Sequence, residues 1–548
     1  MFLHLSTTYY AIMMTFTLKN LRGDIYGGIT AAVVALPLAM AFGVASGVGP
    51  IAGLYGAIAV GFFAAIFGGT DSQVSGPTGP MTVVMGAIVA QYATNLPEAF
   101  AIVFLGGALQ IVFGAMRRGR YISYTPYPVV SGFMSGIGVI IITIQTLPFI
   151  GQPTVSGGPV ATLGTWFSAD ISIVAHAFIL GAICLAIGIF WPKKFSKFLP
   201  APLAALIIGT LLALMIFTDA PIIGEVPTGL PDFILPQITF ANLHHIIQPA
   251  FMLALLGSID SLLTSLVADS ITRTRHRSDQ ELVGQGSGNM VAGLIGGLPG
   301  AGATMRTVVN VRAGGRTPIS GALHALILLA LVLGLGWLAE NIPHAVLAAI
   351  LMKVGWDIID WRYLKRIRTA PRDQLLVMLL TLGLTVFVDL IMAVAIGLIV
   401  SGFITARWNE GEELKGITVA SKAQTASGLN AEEQAALQAA AEDALLVQMQ
   451  GRLSYASTRS MIHQTSTRIA QPDCRKVLFD LTQVDQLDTS AALGLEELVD
   501  IAKETNTTCF VCGLSGDAER ELRDLRIMEQ FSPTEIVPDR LQALRQLA

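Results

Sequence analysis

The feature that most constrains this chain is a series of long apolar stretches without a basic residue. From residue 24 to residue 116 there is no Lys or Arg, and further such stretches follow, separated by short basic clusters. Of the 548 residues, 53% are hydrophobic and only 13% are charged, against about 25% charged residues in soluble domains. Since one bilayer span needs about 20 apolar residues, the pattern predicts a polytopic α-helical membrane protein.

The basic clusters indicate how the chain is oriented. They lie at 117–120, 193–197, 273–277, 312–316, 362–372 and from 407 onward, and the positive-inside rule assigns them to the cytoplasm. We predict 12 to 14 spanning segments, near 25–46, 50–68, 72–92, 97–116, 126–150, 171–191, 200–218, 247–271, 281–297, 301–311, 317–339, 343–355, 374–391 and 392–406. Several are too short to cross a bilayer alone, as expected of broken helices.

The composition changes after Thr405 and indicates a domain boundary. We predict an N-terminal cytosolic segment (1–23), a membrane domain (24–407), a linker with one helix (408–443) and a soluble domain (444–548). In the soluble domain, 445–449, 476–481 and 508–514 have the composition of strands, and 491–504 has an amphipathic helical pattern. This alternation predicts a small α/β domain.

Several functional classes are excluded by the sequence. A net charge of −4 gives no sign of nucleic-acid binding. Four cysteines are too few for a disulfide framework, and the Cys509/Cys512 pair lies in a strand pattern, where buried structural thiols are expected. There is no Walker motif, zinc-ligand spacing or hydrolase elbow. We therefore expect neither an enzyme nor a bound cofactor.

Two glycine- and proline-rich segments, 74–80 and 297–304, interrupt the apolar stretches. Paired interruptions in the two halves of a membrane protein point to a midplane substrate site, because non-helical backbone in a bilayer must face protein or a water-filled cavity. Thr78 and Thr304 each stand beside an expected helix start, whose N–H groups attract anions. The alternative, a pair of surface loops, leaves their position in basic-free stretches unexplained.

Asp260 is the only ionisable residue of the run 256–265. A carboxylate is costly in a membrane and marks an ion path by default, and Thr264 lies on the same helical face. Such oxygen ligands suit a small hard cation; the alternative is a carboxylate that hydrogen-bonds across helices for packing. Arg306 either adds positive potential to the anion site or pairs with a carboxylate.

Four motifs together give the whole chain a strong resemblance to the SulP family of anion transporters: LPLAMAFG at 36–43, SGPTGP at 75–80, ELVGQG at 281–286 and GGRT at 314–317. The resemblance implies fourteen membrane segments in two inverted seven-segment repeats and a cytosolic STAS domain. It also implies a homodimer in a bacterial-type plasma membrane, and leaves room for a cytosolic partner of the STAS domain.

The STAS resemblance rests on DL at 480–481 and LDTS at 487–490. In related domains a hydroxyl after the second aspartate is phosphorylated, which implies Thr489 as a regulatory residue. Ala491 stands where the family usually has glycine.

Within the family, GxxDxxxT at 257–264 and GAGATM at 300–305 resemble the BicA-type sodium-dependent bicarbonate transporters. This resemblance implies that sodium binds at Asp260, Thr264, Gly302 and Thr304. It implies bicarbonate contacts at Thr78, Ala303 and Thr304.

Arg306 departs from that group and resembles the arginine of sulfate- and chloride-handling relatives, so it joins the expected substrate-binding residues. The resulting hypothesis is sodium-coupled bicarbonate uptake by alternating access. One alternative is a proton-coupled sulfate or dicarboxylate symporter in which Asp260 is protonated. Another is an anion channel or sensor whose STAS domain binds a partner.

Overall fold

The computed structural model describes residues 20–92, 95–117, 119, 125–155, 158–168, 171–192, 194–195, 199–224, 231–236, 243–335, 340–388, 390–422 and 428–548. The chain divides into two compact units, Met1–Leu398 and Ile399–Ala548. Most of the expected N-terminal segment, residues 1–19, lies outside the described residues, as do residues 423–427 of the expected linker.

The first unit is built from helices in two successive sets. The first set is α1 (Leu21–Ala45), α2 (Pro50–Phe67), α3 (Gly79–Gln91), α4 (Leu96–Ala115), α5 (Tyr127–Phe149), α6 (Gly158–Trp166), α7 (Ala175–Phe190) and α8 (Ala201–Met215). The second is α9 (Leu243–Thr272), α10 (Ser278–Leu294), α11 (Thr304–Ala313), α12 (Pro318–Leu335), α13 (His344–Ile358), α14 (Trp361–Leu364), α15 (Arg372–Phe387) and α16 (Leu390–Glu413). Helix α16 ends in the second unit.

These helices confirm the predicted fold class. Apart from the short α6 and α14, which the sequence analysis did not predict, the fourteen described helices lie at the predicted spans, seven in each set. Six are long and apolar enough to cross a bilayer by themselves, and α11 and α12 form a pair bent by 112°. Helices α3 and α11 are shorter than the predicted spans 72–92 and 301–311, because the Gly- and Pro-rich residues before them are extended.

Each of these two short helices follows a two-residue strand. Strand β1 (Ser75–Gly76) pairs with β2 (Ala301–Gly302) in antiparallel orientation, Ser75 opposite Gly302 and Gly76 opposite Ala301. The two strands occupy equivalent places in the two helix sets, and their opposite directions are those expected for inverted repeats.

Small residues allow the helices of this unit to pack closely. A Cβ added at Gly107 in α4 would lie 2.6 Å from the carbonyl oxygen of Gly286 in α10. The two backbones are therefore in contact, as is common between membrane helices.

The second unit is an α/β sandwich. Its sheet has the order β3 (Ile417–Ser421), β4 (Ala444–Leu453), β5 (Lys476–Leu487), β6 (Thr508–Cys512) and β7 (Ile536–Val537). Strand β3 is antiparallel to β4, and the other neighbours are parallel. The predicted strands and the predicted helix 491–504 are present, and β3 lies within the segment expected to be a linker.

Helices cover both faces of this sheet, which explains why the buried parts of its central strands are mostly apolar. Helices α18 (Tyr455–Ile469), α19 (Thr489–Glu504) and α20 (Gly516–Asp524) share one core with the sheet, while α17 (Ala431–Ala439) and α21 (Arg540–Gln546) share the other. Cys509 and Cys512 are free and buried in β6, and burial raises the pKa of the Cys509 thiol to about 12.

A nearly buried ion pair fixes α17 and α21 to the sheet. Arg540 Nε and Nη2 donate to the two carboxylate oxygens of Glu433 at 2.9 Å each, and Arg540 Nη1 lies 3.5 Å from Asp480 Oδ2 in β5. Burial alone raises the pKa of Glu433, but the Arg540 guanidinium and the Asn430 backbone N–H more than offset it and hold that pKa below its usual range.

We expect Arg540→Met to destabilise the second unit by about 3 kcal/mol, because Glu433 and Asp480 would keep buried charges without a counterion. Hydrogen exchange of the β5 amides in the intact protein measures the change. The loss should also depend on pH. Since the pKa of Glu433 is lowered in the folded state, the stabilisation is complete above the ordinary carboxyl pKa and is lost as pH falls through the folded-state value. Equal β5 exchange rates in the variant and the wild type at neutral pH would contradict this role.

Candidate functional site

The strand pair β1–β2 brings the two broken segments together. Ala303 N donates to the Val74 carbonyl at 2.9 Å, which extends the pairing by one residue. Thr78 and Ala303 are the N-cap residues of α3 and α11, and neither helix start has a side-chain cap. Both residues line one cavity of about 570 Å³, so two uncapped helix N-termini border the same space.

Glycine is required where the segments touch. A Cβ at Gly300 would lie 2.5 Å from the backbone carbon of Gly76. Gly76 has φ +151°, and a Cβ there would lie 2.5 Å from Arg306 Nη1. Backbone contact therefore excludes a side chain at Gly300, and the positive φ of Gly76 strains any other residue there.

Most of the residues that were predicted from the sequence to bind sodium or substrate line this cavity. Its lining includes Thr78, Asp260, Gly302, Ala303, Thr304 and Arg306. Thr264 is not part of the lining but lies directly behind it: its hydroxyl donates to the Gly302 carbonyl at 2.9 Å and is 2.7 Å from the Thr304 hydroxyl. One location thus contains all the predicted sodium- and substrate-binding residues.

Asp260 is a buried carboxylate without a counterion among the described residues. It lies in α9, is 7% exposed, and its Oδ2 has no hydrogen-bond partner among the described residues. The Thr78 hydroxyl lies beside it without the geometry of a full hydrogen bond and also lacks another partner in the described chain. An unpartnered buried polar group is costly. A packing role across helices therefore fits Asp260 poorly.

Arg306 is also buried, and no carboxylate of the described residues pairs with it. It is 1% exposed, its Nη2 donates to the Pro77 carbonyl at 3.0 Å, and its Nη1 has no hydrogen bond in the part of the chain that the structure describes. Of the two alternatives for this residue, the geometry favours positive potential at the cavity over a structural ion pair.

Three polar side chains on one face of α10, Glu281, Gln285 and Asn289, form a brace that was not predicted from the sequence. Glu281 Oε1 accepts from Gln285 Nε2 at 2.8 Å and from Gln73 Nε2 at 2.7 Å, and Gln285 Nε2 also reaches Ser75 Oγ at 2.6 Å. The four-residue spacing of these polar side chains in a glycine-rich membrane helix is the signal that would have revealed them.

Side chains form hydrogen bonds with the backbone N–H and carbonyl groups of the second broken segment. Asn289 Oδ1 accepts from Gly300 N at 2.8 Å, and Asn289 Nδ2 donates to Gly300 O at 3.0 Å. Gly302 N donates to Ser261 Oγ at 3.0 Å, while Gly302 O accepts from Thr264. Ser261 was not selected from the sequence, although hydroxyl residues recur at helical spacing around Asp260.

Thr489 lies in the second unit and is not part of this cavity. It is the first residue of α19, is exposed, and donates its hydroxyl to Glu521 Oε1 at 2.6 Å. Asp488 caps the helix by accepting from Ala491 N at 2.8 Å.

Comparison with known families assigns both parts of the chain. Residues 21–381 match the model of the sulfate permease family, and residues 437–539 match the STAS domain. The chain is 41% identical over 540 residues to the bicarbonate transporter BicA of Picosynechococcus sp., covering 96% of this chain and 94% of that protein.

Two solved structures are similar to this fold. The transmembrane domain of a cyanobacterium bicarbonate transporter BicA matches with a TM-score of 0.66 and 48% identity, over 69% of this chain and 99% of that one. The murine Solute Carrier 26 family member A9 anion transporter in the inward-facing state matches with a TM-score of 0.78 and 17% identity, over 96% and 91%. This second match concerns the fold alone.

We expect Gly302→Ala to destabilise the membrane unit by about 1–3 kcal/mol, the usual cost of overpacking. The new Cβ would lie 2.5 Å from Gln73 Nε2 and 3.0 Å from the Cβ of Thr264, which displaces Gln73 from Glu281. Thermal unfolding of the purified protein in detergent measures the effect. Gly334→Ala is the matched control, since nothing lies within 4 Å of its added Cβ. Equal unfolding temperatures for the two variants would show that the contact of Gly302 with Gln73 and Thr264 tolerates the methyl group.

Proposed function

The chain belongs to the sulfate permease family, and from that premise we propose that it imports bicarbonate together with sodium by alternating access. Its relatives are membrane transporters and not enzymes. The observation that carries the proposal is the unpaired carboxylate of Asp260 in a cavity bordered by two uncapped helix N-termini.

Asp260 explains why a cation would accompany the anion. A carboxylate in the cavity repels an incoming anion, and a sodium ion beside Asp260 would offset this repulsion. The Thr264 hydroxyl lies within hydrogen-bond distance of both the Gly302 carbonyl and the Thr304 hydroxyl, and these three groups would supply the oxygen ligands that hard cations prefer. Sodium is a transported ion in this scheme, and no further cofactor is needed.

The anion would lie between the helix N-termini. Thr78 offers an unpartnered hydroxyl, and the first turn of α11, which starts after Ala303, offers the N–H groups that attract anions. Arg306 adds positive charge from the same wall through its unpartnered Nη1.

Coupling then follows from linkage. If sodium raises the affinity for the anion, the anion raises the affinity for sodium by the same factor. Alternating access of the doubly occupied protein would carry both ions, and a singly occupied cavity would keep an uncompensated charge.

We expect vesicles with this protein to take up labelled bicarbonate in a saturable manner with external sodium, and to lose this uptake when choline replaces sodium. An alkaline buffer is needed, because dissolved CO₂ crosses bilayers without a carrier. Asp260→Asn should abolish the sodium-dependent part, since the neutral amide no longer binds the cation. Asp219→Asn, at a side chain that is three-quarters exposed, is the matched control. Unchanged sodium-dependent uptake by Asp260→Asn would overturn the sodium assignment.

Arg306 favours a second candidate, a proton-coupled sulfate or dicarboxylate symporter in which Asp260 carries a proton. The free Nη1 of a buried arginine suits a divalent anion. Uptake of labelled sulfate by the same vesicles separates the two candidate functions. Sulfate uptake that is driven by a proton gradient and unchanged when choline replaces sodium would favour the second candidate. A channel or sensor would instead show neither saturation nor countertransport.

We propose a homodimer in a bacterial-type plasma membrane, with the STAS domain in the cytosol and open to a partner there. Light scattering of the detergent-solubilised protein tests the dimer. We also propose that Thr489 is a phosphorylation site, because its hydroxyl is exposed at the start of α19. A phosphate there would be repelled by Glu521 and Asp488 and would break the hydroxyl bond to Glu521. Mass spectrometry of protein from its native cells tests this, and an unmodified Thr489 under all growth conditions would contradict it.

A further inference from the structure

The cavity contains a second basic residue that the proposed site does not use. Among its described lining residues four are charged: Asp260 and Arg306, and a pair on α13, Lys353 and Asp357. Lys353 Nζ contacts both carboxylate oxygens of Asp357, at 2.5 and 2.6 Å. We call these two residues the mouth pair.

The mouth pair lies where the cavity is open. The side chain of Lys353 is 29% exposed and that of Asp357 is 42% exposed, whereas Asp260 and Arg306 are buried. An i,i+4 ion pair with this exposure is weak, because water screens it and both side chains lose freedom. The pair can therefore open at little cost when another charge approaches Lys353.

The positive-inside rule places this opening on the cytoplasmic side. Helix α13 ends five residues after Lys353, and the basic cluster 362–372 follows. Gly188 and Pro200, which also line the cavity, flank the basic cluster 193–197. The lining residues of this end are thus next to two clusters assigned to the cytoplasm.

We propose that Lys353 is an anion-contacting residue at the cytoplasmic mouth, which exchanges Asp357 for the transported anion as the anion passes between the cytosol and the deep site. The proposal rests on the proposed transport function but not on the identity of the anion. An exposed lysine at the mouth of a cleft raises the local anion concentration through its field. Asp357 limits this effect by competing for the same ammonium group, so that the anion is not retained.

The proposal predicts an effect on one side of the membrane only. Inside-out vesicles expose the cytoplasmic mouth to the added anion, and right-side-out vesicles expose the opposite side. In inside-out vesicles Lys353→Gln should raise KM several-fold with little change in the maximal rate, and Asp357→Asn should lower KM. In right-side-out vesicles neither variant should change KM for external anion.

Two further variants separate this role from a structural one. Lys353→Arg should restore the wild-type KM, since it keeps the positive charge. Lys415→Gln removes a lysine from a comparable but far more exposed pair with Glu412, outside the cavity, and should leave KM unchanged in both orientations. Raising the salt concentration should reduce the difference between Lys353→Gln and wild type, because exposed charges are screened.

The wild type is first assayed with bicarbonate and, separately, with sulfate, and the anion that it carries is used for all KM values. If the wild type transports sulfate and not bicarbonate, the proposed substrate is refuted. The role of Lys353 is then tested with sulfate. An equal rise of KM in both vesicle orientations, or no rise in Lys353→Gln, would overturn the proposal. If the wild type carries neither anion, the function and the role of Lys353 both fail.

Discussion

The structure depends on how non-helical backbone is satisfied inside a membrane domain. Lipid offers no hydrogen bonds, so each exposed N–H or carbonyl of the broken segments needs a protein partner or must face a water-filled cavity. Strands β1 and β2 supply some of these partners to each other, and Asn289, Ser261 and Thr264 supply those of Gly300 and Gly302. The helix starts that border the cavity are positioned by this small sheet.

The charges of the cavity give the proposed coupling of a cation to an anion a physical basis. Asp260 and Arg306 are both buried, have opposite sign, and do not pair with each other or with another charged side chain among the described residues. Each of the two charges therefore lacks a counterion among the described residues. In the proposed scheme, a cation and an anion bound together would lower the energy of both groups, whereas either ion alone would compensate only one of them.

The sequence predicted those features that depend on local composition. The apolar runs located fourteen helices, and Asp260 and the Gly/Pro segments were conspicuous because they violate the rules of a membrane span. The brace of Glu281, Gln285 and Asn289 was not predicted, although its four-residue spacing is visible in the sequence. The role of Glu281 and Gln285 depends on Gln73 and Ser75, which are about two hundred residues away in the chain. Strand β3 was also not predicted, because an edge strand next to a charged segment has little hydrophobic pattern and is defined by its pairing with β4.

The pairing of β1 with β2 also has a consequence for biosynthesis. Gly76 and Ala301, which face each other in the sheet, are 225 residues apart in the chain. At ribosomal rates of about 5–20 residues per second, Gly76 waits on the order of ten to forty seconds for its partner. During that time the backbone of the first segment must be hydrogen-bonded by water or by the insertion machinery. The cavity is therefore among the last parts of the membrane unit to form, after most of its helices have entered the bilayer.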